Sequence, residues 1–268
     1  MIGIGLSYPT PNGMAAESFT FTPIESSFPS LKTTDARDRL KKWNLDCFMQ
    51  AAAFRFDQPF SQESTDAFLF DLFASQVVQE AAPVCVAPGQ WKTLGSLLSG
   101  AVKYVRLPTT VLRMDFFDRL EENGIVRAGD IAKCLDTQVG EVLVSDKLRL
   151  LMLDESSDEW ELFTEAERSE LIFHVLKILA VGGGMNQYDD QINPYLTLAK
   201  SIYKDLVTVH RTAAGSLQIG SLAFMVSEIC GSGANLFPRL SPNNYCYVTV
   251  DPAARHVKIW YGAFYPMM

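Results

Sequence analysis

Histidine is scarce in this chain, at three in 268 residues, and none stands in a pattern that grips a metal. His174, His210 and His256 belong to no HExxH or HxD arrangement, and none lies near a cysteine. A zinc or non-haem iron centre is therefore not expected. Cysteine is equally unhelpful to a metal or disulfide reading. Cys47, Cys85, Cys134, Cys230 and Cys246 are odd in number, far apart and form no CxxC pair. That pattern fits reduced, mostly buried thiols of a cytosolic compartment. GxSxG and Walker A are both missing, which removes the common routes to a serine nucleophile and to a phosphate-cradling lysine. Basic charge is short as well. With 23 Lys and Arg against 31 Asp and Glu, the net charge is -8, the wrong sign for non-specific nucleic-acid binding. The most apolar run, Leu171 to Val181, is shorter than a membrane span and contains His174 and Lys177. No basic-then-apolar leader opens the chain and residue 2 is Ile, so neither secretion nor N-myristoylation is expected.

A hydrophobic content of 48% with 20% charged residues describes an ordinary globular protein able to bury a core. Residues 1–16, rich in Gly, Pro and Ser, read as a flexible tail, and 17–268 as a single α+β domain. A mixed or antiparallel sheet, central helices and a C-terminal β-hairpin are expected. Strands are predicted over Glu17–Ile24, Phe54–Phe60, Val102–Leu107 and Leu217–Val226. Helices are predicted over Thr33–Met49, capped by Thr34 or Asp35, and over Thr65–Val78. Further helices are expected from Pro108 to Asn123, from Ala128 to Leu135, and from the Ser145–Asp146 cap to Leu153. Thr164 with Glu167 makes a capping box for a helix running to Val181, where three glycines stop it. Tyr245–Tyr261 holds two alternating runs around Asp251-Pro252-Ala253-Ala254, a strong hairpin signal.

The stretch from Gly182 to Val209 concentrates the polar interest. Three glycines lead into a loop, Asn186 to Asn193, and then into an amphipathic helix from Pro194 with Asn193 as a candidate cap. Leu196, Ala199, Ile202, Tyr203 and Leu206 make its apolar stripe. Asp189 and Asp190 could ligate Mg²⁺ or Ca²⁺. The competing reading has them bonding loop backbone and capping the next helix. A small-molecule or metal site at Gly182–Asn193 is thus one functional alternative.

Several ordered blocks carry a likeness: FRFDQPF at 54–60, DFFDRL at 115–120, IAKCLD at 131–136, SDKLRLLML at 145–153, QYDDQINPYL at 187–196, KSIYKDLVTV at 200–209 and VDPAARHVKIWY at 250–261. In these blocks, and in their order and spacing, the chain resembles the cilia- and flagella-associated protein 300 family. The resemblance implies a non-enzymatic factor in assembly of outer and inner axonemal dynein arms and their delivery by intraflagellar transport. It implies residence in cytoplasm and motile cilium, partners among dynein-assembly factors and dynein arm subunits, and neither cofactor nor metal. It brings no catalytic motif. Within such an adaptor, the expected exposed contact residues are Tyr188, Asp189, Asp190, Tyr195, Lys204 and Arg255.

Overall fold

A computed structural model describes residues 18–25, 27–94, 98–231 and 235–265. The expected 1–16 tail lies outside them. Six antiparallel strands form the central sheet: β1 (Phe21–Pro23), β2 (Met49–Phe56), β3 (Leu98–Leu107), β4 (Leu222–Gly231), β5 (Tyr245–Asp251) and β6 (His256–Gly262). Their spatial order is β1-β2-β6-β5-β4-β3, so the C-terminal hairpin occupies the middle. The hairpin turn works as the sequence suggests. Asp251 Oδ1 accepts from the amides of Ala253 and Ala254, both at 3.0 Å, and Arg255 takes a left-handed φ of 53° to return the chain.

Alternation along β5 and β6 divides the core in two. Cys246, Val248, Val250, Val257, Ile259 and Tyr261 face one side, where Phe68, Leu69, Leu72 and Phe73 of the helix α1 (Thr65–Ala74) pack on Phe54 and Phe56. Tyr245, Tyr247 and Trp260 face the other side, against α3 (Leu171–Val181) and α4 (Asn193–Leu206). The helix α2 (Lys147–Leu153) packs against α3. Every residue of β5 is buried, because helices cover both of its faces and strands both of its edges. Thr249 answers this burial by donating to the Leu206 carbonyl at 2.8 Å.

The fold is mixed α+β with an antiparallel sheet, as expected, but the expected helices are cut short or broken. Thr33–Met49 is helical over Thr34–Lys42 with Met49 already in β2, and Thr65–Val78 breaks at the extended Ser75 into Thr65–Ala74 and Gln76–Ala81. Pro108–Asn123 forms only a 3₁₀ turn, Met114–Phe117, and one α turn, Arg119–Glu122. Its first residues are held extended: Thr109 donates to Ser221 O at 3.0 Å, and the Thr110 amide donates to Glu170 at 3.0 Å. Tertiary hydrogen bonds there outcompete helical ones. Ala128–Leu135 is not helical. Ala128 and Gly129 both have positive φ, 51° and 88°, and turn Val126–Arg127 back onto Asp130–Ile131. Lys133–Val139 then pairs with Val142–Asp146. The helix expected from Glu165 to Val181 is two pieces, Glu165–Arg168 with its capping box intact and Leu171–Val181. Glu170, extended at ψ 134°, makes the break because its carboxylate holds Thr110.

Smaller shifts occur at two caps. Thr33, rather than Thr34 or Asp35, caps the Thr34–Lys42 helix by accepting from the Ala36 amide at 3.2 Å. Asn193 is already helical, and the residue before α4 is Ile192 without a side-chain cap. Cys85 and Cys246 are buried in the sheet core, and burial pushes the Cys246 thiol up to about 12. No helix among the described residues is long and apolar enough to cross a membrane.

Candidate functional site

The loop after α3 is pinned onto the end of the Thr34–Lys42 helix. That helix leaves unpaired carbonyls at its C-terminus, and the loop's amides satisfy them. Gly183 N donates to Trp43 O at 2.9 Å and Gln187 N to Lys42 O at 2.9 Å. The approach is too close for side chains. A Cβ on Gly183 would lie 2.1 Å from Asn44 O, and one on Gly182 would lie 2.8 Å from Trp43 O. Gly182 also has φ 65°, so the glycines serve a backbone-to-backbone joint rather than a phosphate cradle.

Below this joint lies a buried cation. Arg149, 1% exposed, pairs through Nη1 with Asp146, which also caps α2 by accepting from the Arg149 amide at 3.0 Å. Nη2 donates to the Tyr195 hydroxyl at 2.7 Å, and that oxygen accepts from the Asp189 amide at 2.8 Å. The guanidinium carbon sits 3.4 Å from the Tyr188 ring centre, a cation–π contact. Trp43 stacks on Tyr195 at 4.4 Å between centroids and donates Nε1–H to Asp189 Oδ2 at 2.8 Å. Asp189 also receives Lys42. Burial raises the phenol pKa of both Tyr188 and Tyr195, so both remain neutral hydroxyls at physiological pH.

The six nominated residues therefore do not form one surface. Tyr195 is fully buried, and Tyr188 and Asp189 are partly so; the expectation that all are exposed is corrected by their contacts with Arg149, Lys42 and Trp43. Asp190 is exposed and bound to Lys133, whose hydrogen bond lowers its carboxyl pKa. The two aspartates thus point to different lysines on different segments and neither caps α4. No cluster of three or more His, Cys, Asp or Glu suited to a metal occurs among the described residues. Lys204 and Arg255 are exposed and lie elsewhere; at 1.5 Å per residue Lys204 is about 14 Å along α4 from Tyr195. Arg255 donates to Asp57 O at 2.6 Å across the β1–β2 end of the sheet.

Arg149, Asp146 and Trp43 complete the cluster but were not singled out as its members from sequence. A single arginine inside KLRLLML, three residues after a capping aspartate, is the signal that could have found them. Tyr195 carried a signal as well: it precedes Ala199 by four residues and Ile202 by seven, the spacing of the buried stripe.

The family model described as cilia- and flagella-associated protein 300 matches residues 18–262. The protein of that name from Chlamydomonas reinhardtii is 36% identical over 253 residues, covering 92% of this chain and 98% of that protein. The one from Paramecium tetraurelia is 30% identical over 249 residues, covering 92% and 94%. No solved structure matches. The match takes in the whole sheet, the glycine joint and the Arg149 cluster, and on that extent the chain belongs to the cilia- and flagella-associated protein 300 family.

Proposed function

We propose that this chain is a non-catalytic binding factor for assembly of outer and inner axonemal dynein arms and their delivery by intraflagellar transport. In this reading it works in cytoplasm and motile cilium and contacts dynein-assembly factors or arm subunits. Family membership supports the ciliary part. The observation that carries the binding part is a groove of about 320 Å³ beside the exposed half of α4. Val111, Leu112 and Met114 give it apolar walls, and Arg113, Lys200 and Lys204 a basic rim, against one acid, Asp115. Arg113 pairs with Asp115 at 3.2 Å, so Lys200 and Lys204 supply the net charge. An apolar floor with a charged rim suits a transient partner segment that carries acids beside one or two large apolar residues.

Affinity capture from ciliated-cell cytosol tests the reading. Wild type is expected to recover dynein arm or assembly-factor subunits, and Lys200→Glu/Lys204→Glu to recover at least several-fold less. Wild type recovering none of them overturns the function. Equal recovery by the double variant overturns the groove.

A further inference from the structure

A second cavity, of about 190 Å³, lies between α3, β5 and the glycine joint, against Gly182 and Gly183. Its lining is mostly apolar, with Phe48 and Ile178 among the walls, and contains one cation and no acid. The cation is Lys177, which is partly buried and makes no hydrogen bond or ion pair among the described residues. His174 lies one helical turn before it and takes the Tyr247 hydroxyl at Nδ1, 3.0 Å away. With that hydroxyl donating, the Nε2 of a neutral ring keeps its proton and becomes a donor. Two further lining residues hold buried polar atoms without partners among the described residues: the Tyr245 hydroxyl and Asn243 Oδ1.

Native interiors pair their buried polar atoms, and an exception calls for a reason. Here the residues that carry two such atoms, a lysine without a bonded partner and an imidazole line the same space. Burial, with Arg168 adding to it and Glu155 acting against it, pushes the lysine pKa down. A cavity of roughly 150 Å³ accommodates benzene, so this one takes a six-membered ring with one small substituent. We infer that the cavity binds a small monocarboxylate with an apolar body about the size of a benzene ring. The carboxylate meets Lys177 and the Tyr245 and His174 donors, and the body fills the space against Phe48 and Ile178.

Benzoate, benzyl alcohol and inorganic phosphate, each at about 10 mM, test this on the full chain by thermal shift and titration calorimetry. Benzoate should raise Tm by about 3 °C, as expected for a millimolar ligand of the folded state. Benzyl alcohol should bind at least about ten-fold more weakly, since it keeps the shape and loses the charge. Lys177→Met should abolish the preference for benzoate, and Tyr245→Phe should weaken benzoate while leaving the fold intact. The inference is overturned by no shift with benzoate, by an equal shift with the alcohol or with phosphate, or by unchanged benzoate binding in Lys177→Met. If Lys177→Met does not fold, unchanged benzoate affinity in Tyr245→Phe decides against it.

Discussion

Two polar clusters sit on either side of the Gly182–Gly183 joint, and they differ in how fully they are satisfied. Around Arg149, carboxylate, phenol, indole and backbone amide interlock, while the guanidinium Nε and Asn186 Oδ1 stay without partners among the described residues. Around Lys177, the Tyr245 hydroxyl and Asn243 Oδ1 are buried without partners, and the ammonium makes no hydrogen bond or ion pair among the described residues. A densely bonded network of the first kind fixes one arrangement of its segments, whereas a cation without a bonded partner can still take a counter-charge. Residues 182 and 183 therefore stand between a side that holds two carboxylates and a cavity whose lining holds none.

Breaking the closed side should cost most. Arg149→Met strands the buried Asp146 carboxylate and is expected to lose about 3–5 kcal/mol in urea unfolding, with Arg149→Met/Asp146→Asn recovering part of it. A loss under about 1 kcal/mol would mean the cluster is not a joint at all.

On the open side the expected effect follows pH. Burial, with Lys177 adding to it, lowers His174 from near 6.5 to about 4. Its folded pKa is below its unfolded one, so the unfolded chain binds more protons between those values. The stability is present in full above about 6.5 and is lost as pH falls toward 4, by roughly 3 kcal/mol across the window. Urea midpoints from pH 7 to pH 4.5 should show this slope, and His174→Gln should flatten it. Identical slopes would place a charged imidazole in the folded protein.

A matched pair of hydroxyl deletions gives the smallest and most direct contrast. Tyr195→Phe removes the oxygen that accepts from both Arg149 and Asp189, at a cost of about 1.5–3 kcal/mol. Tyr245→Phe removes a hydroxyl without a partner and should change stability by no more than about 0.5 kcal/mol. Equal losses would erase the distinction between the clusters.

Sequence reading succeeded where one local signal decided the outcome. Pro194 at a first turn and the stripe through Leu206 located α4, and Asp251-Pro252 located the β5–β6 turn. It failed where distant residues decided. Nothing local says that Thr110 will be claimed by Glu170, or that Ala128 will adopt a left-handed φ to make a hairpin. The candidate site was half legible for the same reason. The concentration of polar residues at 186–193 marked the right loop, but Arg149 and Trp43, which hold two of those side chains, Tyr188 and Asp189, come from two other segments.

The sheet order has a consequence for biogenesis. β2 pairs with β6, Met49 against Gly262, and β5 completes the centre. The first two strands to leave a ribosome thus have no neighbour toward the middle of the sheet until residue 262 has been synthesised. Nascent chains must be kept from aggregating through that interval, and a stop codon anywhere ahead of Tyr245 would abolish the whole protein rather than trim it.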